Sequence, residues 1–259
     1  MTKGNVVNWR PVRLSGQRLW LLVALIVSGP ALHLMAGQSR DSRGTLRLRV
    51  PLPLSANALQ GTVLLYSVQA RIPIGVEVVS GGASGTRDVA RPAPETQVVR
   101  ALDLTGLPIT DVLGRLTALQ VVGPIPRYEW SVDGAYSIRP ALFRNNRGAA
   151  LNRVVAKFES STANLMDTLF DVLRIFDPKQ PVKSRTPRRM PDHVRPFVER
   201  ATHISLAQVS VHTILNEIAR NHGGMSWLVE YASVTGAPAG MKLTFVGFDK
   251  WTLSAGLPQ

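Results

Sequence analysis

Five histidines, seventeen carboxylates and a large excess of arginine are the groups in this chain that could do chemistry. The histidines are His33, His193, His203, His212 and His222. His212 and His222 lie ten residues apart, not at the i, i+4 spacing that sets two ligands on one helical face. The chain has no cysteine, and no carboxylate pair flanks these histidines, so the ligand rules give no metal site. Asp103 and Asp111 lie near each other, but acid–base work needs a cleft and a fixed separation, and nothing marks one. No G-x-S-x-G, P-loop or G-x-G-x-x-G occurs, and Gly81–Gly85 reads as a flexible run. The expectation is a non-enzymatic chain with no catalytic, metal or cofactor-binding residues and no cofactor.

What the chain does carry is a repeated apolar pattern. Leu102–Leu116 (LDLTGLPITDVLGRL) and Ile204–Ile218 (ISLAQVSVHTILNEI) superpose at seven apolar positions. These are Leu102/Ile204, Leu104/Leu206, Leu107/Val209, Ile109/Val211, Val112/Ile214, Leu113/Leu215 and Leu116/Ile218. Only Leu104/Leu206 and Leu113/Leu215 are identities, so a buried surface repeats and a set of reactive groups does not. Thr110/His212, Asp103/Ser205 and Asp111/Thr213 differ, which reads as surface, with His212 facing solvent.

Each copy changes period partway. The spacing of two at Leu102, Leu104 and at Ile204, Leu206 is that of a half-buried strand. The 3, 1, 3 spacing of Ile109, Val112, Leu113 and Leu116 is one stripe of a helix. Pro108 suits a first helical turn, and Ser210 can cap the second helix. Gly123-Pro124 and Gly223-Gly224 end the two helices. A hairpin then follows each: Tyr128–Val132 and Ala135–Ile138 around an Asp133-Gly134 turn with both φ positive, and Ser226–Tyr231 with Met241–Val246. Glu129 and Glu230 in these strands are expected to face solvent.

An apolar helix lies upstream of each copy, at Ala58–Arg71 and Ala163–Phe176. Ile74–Val79 and Val154–Phe158 read as strands. The fold class is therefore α+β: two small tandem modules, 45–142 and 150–253, with helices packed on short mixed sheets. Modules of this size hold a modest core, so packing against each other or a partner is expected. Gly81–Glu95 is a loop inside the first module. A Pro/Arg-rich insertion, 177–200, interrupts the second and has no apolar periodicity of its own.

Residues 1–38 give the address. Lys3, Arg10, Arg13 and Arg18 precede Leu19–Val27, and no acidic residue occurs before Asp41. Basic flank, apolar run and small-residue exit make a secretory signal; the alternative is an uncleaved anchor across residues 19–36. Either places the body outside the cytoplasm, in the periplasm or secreted, and the second tethers it to the inner membrane.

The net charge of +13 comes from 30 Lys and Arg against 17 acidic residues. One reading is a surface for acidic polymers or anionic ligands, centred on Arg185, Arg188 and Arg189 of the insertion. The other is arginines scattered over solvated faces. No arginine–aromatic interleaving suggests a nucleic-acid stacking platform. Trp130 and Trp227 stand in equivalent hairpin strands and read as core or core rim. Trp251 lies past the last of these strands and is the tryptophan expected at an exposed partner contact.

An apolar helix, a strand, then L-x-L-x-x-x-P-I-x-D-V-L-x-x-L and a hairpin ending in Tyr136-Ser137-Ile138 resembles the short N-terminal module of secretins and TonB-dependent receptors. The likeness covers about 46–140; the second block, 154–246, is similar but broken by the insertion. Here no long β-rich segment follows that could form a pore or barrel. The resemblance implies extracytoplasmic protein–protein contact, with no catalytic residues to carry over. The expected function is an envelope protein serving as a binding or assembly module, its partner another envelope protein; the alternative is an acidic-polymer binder acting through the insertion.

Overall fold

The computed structural model describes residues 47–52, 54–79, 98–119, 121–122, 127–162, 164–180, 192, 194–249 and 251–258. The leader, the Gly81–Glu95 loop, Gly123-Pro124 and Arg185, Arg188 and Arg189 lie outside them.

The architecture is α+β. The first half runs β1 (Arg47–Leu52), a short β2 (Leu54–Ser55), α1 (Ala56–Ala70), β3 (Ile74–Val79), β4 (Val98–Asp103), α2 (Ile109–Thr117), a short β5 (Val121–Val122), and the hairpin β6 (Tyr128–Asp133) and β7 (Ala135–Pro140). Two 3-10 turns, Ala141–Phe143 and Ala150–Asn152, lead into the second half. That half runs β8 (Val154–Thr162), α3 (Leu165–Arg174), a short α4 (Arg195–Val198), β9 (Thr202–Ser210), α5 (Val211–His222), β10 (Met225–Tyr231), β11 (Lys242–Gly247) and β12 (Thr252–Gly256), the last reaching beyond residue 253.

The repeat is structural. β1 pairs antiparallel with β4, and β8 with β9, so each repeated strand closes a two-stranded ribbon. Each repeated helix, α2 or α5, then feeds an antiparallel hairpin, β6–β7 or β10–β11. Even the backbone switch repeats: Gly106 and Gln208, at corresponding places, both take positive φ, +68° and +54°. Glycine adopts this conformation freely, whereas a residue with a side chain is strained there. Ser210 caps α5, its hydroxyl accepting from the Thr213 N–H at 3.1 Å. Gly134 alone turns the first hairpin with positive φ; Asp133 stays in the strand, contrary to a two-residue positive-φ turn.

The two halves share one six-stranded sheet, ordered β12-β11-β10-β3-β7-β6. The joint is β3, which pairs in parallel with β10 on one side and β7 on the other. Ser67 of α1 meets Ser226 of β10, whose hydroxyl accepts from the Ile74 N–H at 2.9 Å, so α1 lies on the face carrying Ser226. Trp227, the next residue, points to the other face and donates its indole N–H to Asn216 of α5 at 3.0 Å. α1 and α5 thus cover opposite faces. A single apolar core fills both layers, including Leu59, Val63 and Ile74 of the first half and Ile214, Leu215 and Ile218 of the second, all fully buried. Each such side chain contributes about 1.5–3 kcal/mol.

Close packing at the joint depends on Gly75. It lies opposite Trp227 in the β3–β10 register, and a Cβ there would fall 2.1 Å from the indole ring. Trp251 packs in the same way on Gly247, where a Cβ would fall 1.9 Å from its ring. Trp251 is 2% exposed, which corrects the expectation of an exposed contact: the turn from β11 into β12 folds it back onto the sheet.

Candidate functional site

Two places gather polar side chains beyond what secondary structure requires. The first is the seam between the halves. On the sheet face opposite α1, β3 and β7 carry polar side chains, Glu77, Ser137 and Arg139. Glu77 of β3, fully buried, lies 3.2 Å from Arg139 Nε of β7 and accepts from the Tyr231 hydroxyl of β10 at 3.0 Å. Arg139 also donates to Asn152 Oδ1 at 2.9 Å. Burial raises the Glu77 pKa, with Arg139 and the Tyr231 hydrogen bond acting against it. Burial, then the Glu77 charge, pushes the Tyr231 hydroxyl well above its ordinary value.

Beside it stands a set with the residue types of a nucleophilic triad. His212 Nε2 is 3.1 Å from Ser137 Oγ, and His212 Nδ1 is 3.7 Å from Asp133 Oδ2. Three facts assign these groups to structure. Ser137 is fully buried, so an acyl substrate has no approach to its oxygen. The Asp133 carboxylate is bound at 2.7 Å by the Thr213 hydroxyl, closer than by the imidazole. Burial, aided by the Arg139 charge and opposed by Asp133, lowers the His212 pKa to about 4, well below that of a base poised for neutral pH. The set instead ties α5 to the β6–β7 hairpin, and Asn216 adds a bond to the Asp133 carbonyl at 2.7 Å.

His212 is thus buried, 5% exposed, and its ring packs edge-on against Trp227. The expectation that it faces solvent, by analogy with Thr110, is overturned: α5 is covered by the first half's sheet, whereas Thr110 on α2 is exposed. Asp103 and Asp111 are exposed as expected. Glu129 and Glu230 are half-buried, paired with Arg144 at 3.6 Å and Lys242 at 3.3 Å. His222 contacts the Phe197 carbonyl at 2.9 Å, far from His212's partners. Among the described residues no three His, Asp or Glu side chains are grouped to hold a metal ion. No helix among them is long and apolar enough to cross a membrane.

The second place is an open groove of about 790 Å³ between α2 and the edge strand β6. Gly114, Thr117 and Leu119 form its helical wall; Trp130, Arg127 and Arg144 lie along the other. Trp130 is half-buried, as expected of a core-rim aromatic. Val132, further along β6, is 60% exposed. The sequence singled out Trp130 but not the groove. The usable sign was a difference between the copies: Gly114 stands where Asn216 stands in the second. Asn216 accepts from the Trp227 indole, while Gly114 leaves Trp130 Nε1 without an acceptor among the described residues.

Compared with known proteins, this chain matches no family model, no curated protein and no solved structure.

Proposed function

We propose that this chain is a non-enzymatic extracytoplasmic envelope protein whose paired modules serve protein–protein binding or assembly. The observation that carries the reading is how the modules meet: an edge strand of one, β10, receives a strand of the other, β3, in parallel. Strand addition to an open edge is a general mode of protein recognition, in which main-chain hydrogen bonds give affinity and alternate side chains give specificity. The first module's hairpin edge, β6, pairs only with β7 among the described residues. Of the groups that resemble catalytic machinery, Ser137 and His212 are buried in the seam, which fits a scaffold better than an active site. The extracytoplasmic placement rests on the basic and apolar order of residues 3–27.

The test is a pull-down with the full-length protein from envelope extract at low and high salt, repeated with Arg185, Arg188 and Arg189 neutralised. Protein–protein assembly predicts specific partners retained at high salt and in the variant. Recovery of acidic polymer alone, lost in the variant and at high salt, overturns the reading in favour of an acidic-polymer binder.

A further inference from the structure

We propose that the groove between α2 and β6 docks an extended, acidic segment of a partner protein, which adds to the outer edge of β6, unpaired among the described residues, as β3 adds to β10. This rests on the assembly reading above and names the partner's chemistry.

The internal repeat supplies the geometry. β6 and β10 are corresponding strands, each opening the hairpin that follows its repeated helix and each carrying a tryptophan as its third residue, Trp130 or Trp227. Beneath α5 the sheet continues past β10 into β3 and β7. Beneath α2 it stops at β6, and the groove occupies the place where the next strand would lie. An incoming strand finds there an edge with no second partner strand among the described residues, and further along β6 the 60%-exposed Val132.

Trp130 sets the next requirement. Its twin has an acceptor, Asn216 Oδ1, and a small residue, Gly75, against its ring. Among the described residues Trp130 has neither, because Gly114 replaces the asparagine and no strand pairs with the outer side of β6. The occupant must therefore bring an acceptor to the indole N–H and a small residue beside the ring. Charge sets the rest. Arg144 is 70% exposed and its partner, Glu129, is matched one to one; Arg127 is exposed and makes no ion pair among the described residues. The groove thus carries an uncompensated positive charge, and carboxylates on the incoming strand complement it.

The test places a photo-crosslinking residue at Val132 of the full-length protein in cells, with Val154, equally exposed on β8, as the control site. The crosslinked peptides are then identified by mass spectrometry. The expected product joins position 132 to an acidic, glycine- or alanine-containing segment of another protein. Gly114→Asn should cut the yield about tenfold or more, by filling the groove and giving Trp130 an internal acceptor. That variant is compatible with folding: a Cβ at 114 meets only Trp130, at 3.8 Å, and asparagine is a better helix former than glycine. Reversing Arg127 and Arg144 to glutamate should lower the yield by a similar factor. Crosslinks from 132 into a second copy of this chain, or yields unchanged by Gly114→Asn or by the charge reversal, overturn this inference. Specific products from 154 with none from 132 overturn it while leaving the assembly reading standing, and products from neither site count against both.

Discussion

Acid should loosen this protein through His212. The imidazole is buried against Trp227, 3.1 Å from Ser137, with Arg139 on the sheet beneath it and Asp133 at 3.7 Å. Its pKa falls from 6.5 to about 4 on folding, chiefly by desolvation, so the unfolded chain binds this proton more tightly than the native one. Stability therefore rises with pH across the window and is lost as pH falls through 6.5, down to about 4. At 1.36 kcal/mol per unit, the full effect is about 3 kcal/mol, and about 2.5 kcal/mol of it is lost between pH 7 and 4.5. That corresponds to a fall of roughly 1 M in the urea midpoint. The check is urea unfolding at both pH values, for the parent and for His212→Gln. His222, whose pKa burial also lowers, is present in both proteins, so the difference in pH dependence reports His212 together with its interaction with Asp133. If the variant loses as much stability as the parent between pH 7 and 4.5, His212 is not held neutral at the seam.

Other expectations follow from the same joint. Gly75→Ala forces a methyl into Trp227 and should cost about 3 kcal/mol, or roughly 6–12 °C in Tm, with much of the loss recovered when Trp227 is also reduced to leucine. Arg139→Met strands a buried carboxylate and should cost about 3–5 kcal/mol, whereas Arg139→Met combined with Glu77→Leu should cost far less; a double-mutant cycle in urea reads the difference. Gln208→Gly relieves a positive φ and should raise stability by up to about 1 kcal/mol, visible as a higher thermal midpoint. Ser210→Ala removes the α5 cap and should cost about 1 kcal/mol by the same measurement.

The elements were legible because their signals are local. A stripe at 3, 1, 3 spacing, a Ser cap and an Asp-Gly turn depend on a few neighbouring residues, and α2, α5 and both hairpins stand where those signals fall. The joint was not legible. The β3–β10 pairing links residues about 150 apart, and Ile74–Val79 carries no mark of the strand it will choose. The burial of Glu77 has the same origin: a glutamate in the middle of an apolar strand looks like alternation toward solvent until Arg139 of β7 and Tyr231 of β10 close around it. Trp251 was misjudged because a residue beyond the last recognised strand gives no sign of a further strand, β12, pairing back onto β11.

The polar differences between the copies carry more meaning than the apolar agreement. Three positions where the repeated helices differ are Thr110/His212 and Asp111/Thr213, which read as surface in the sequence, and Gly114/Asn216. On α5 all three residues touch the first half or its neighbouring tryptophan: His212 meets Ser137, Thr213 meets Asp133, and Asn216 meets both Asp133 and Trp227. On α2 the counterparts Thr110 and Asp111 are exposed and Gly114 lines the open groove. The same helix face is thus satisfied internally in one copy and left open in the other. Repeated apolar residues build the module; the unrepeated polar ones on this face record what each helix meets. In the second copy that is the first module, and in the first copy it is the space beside β6.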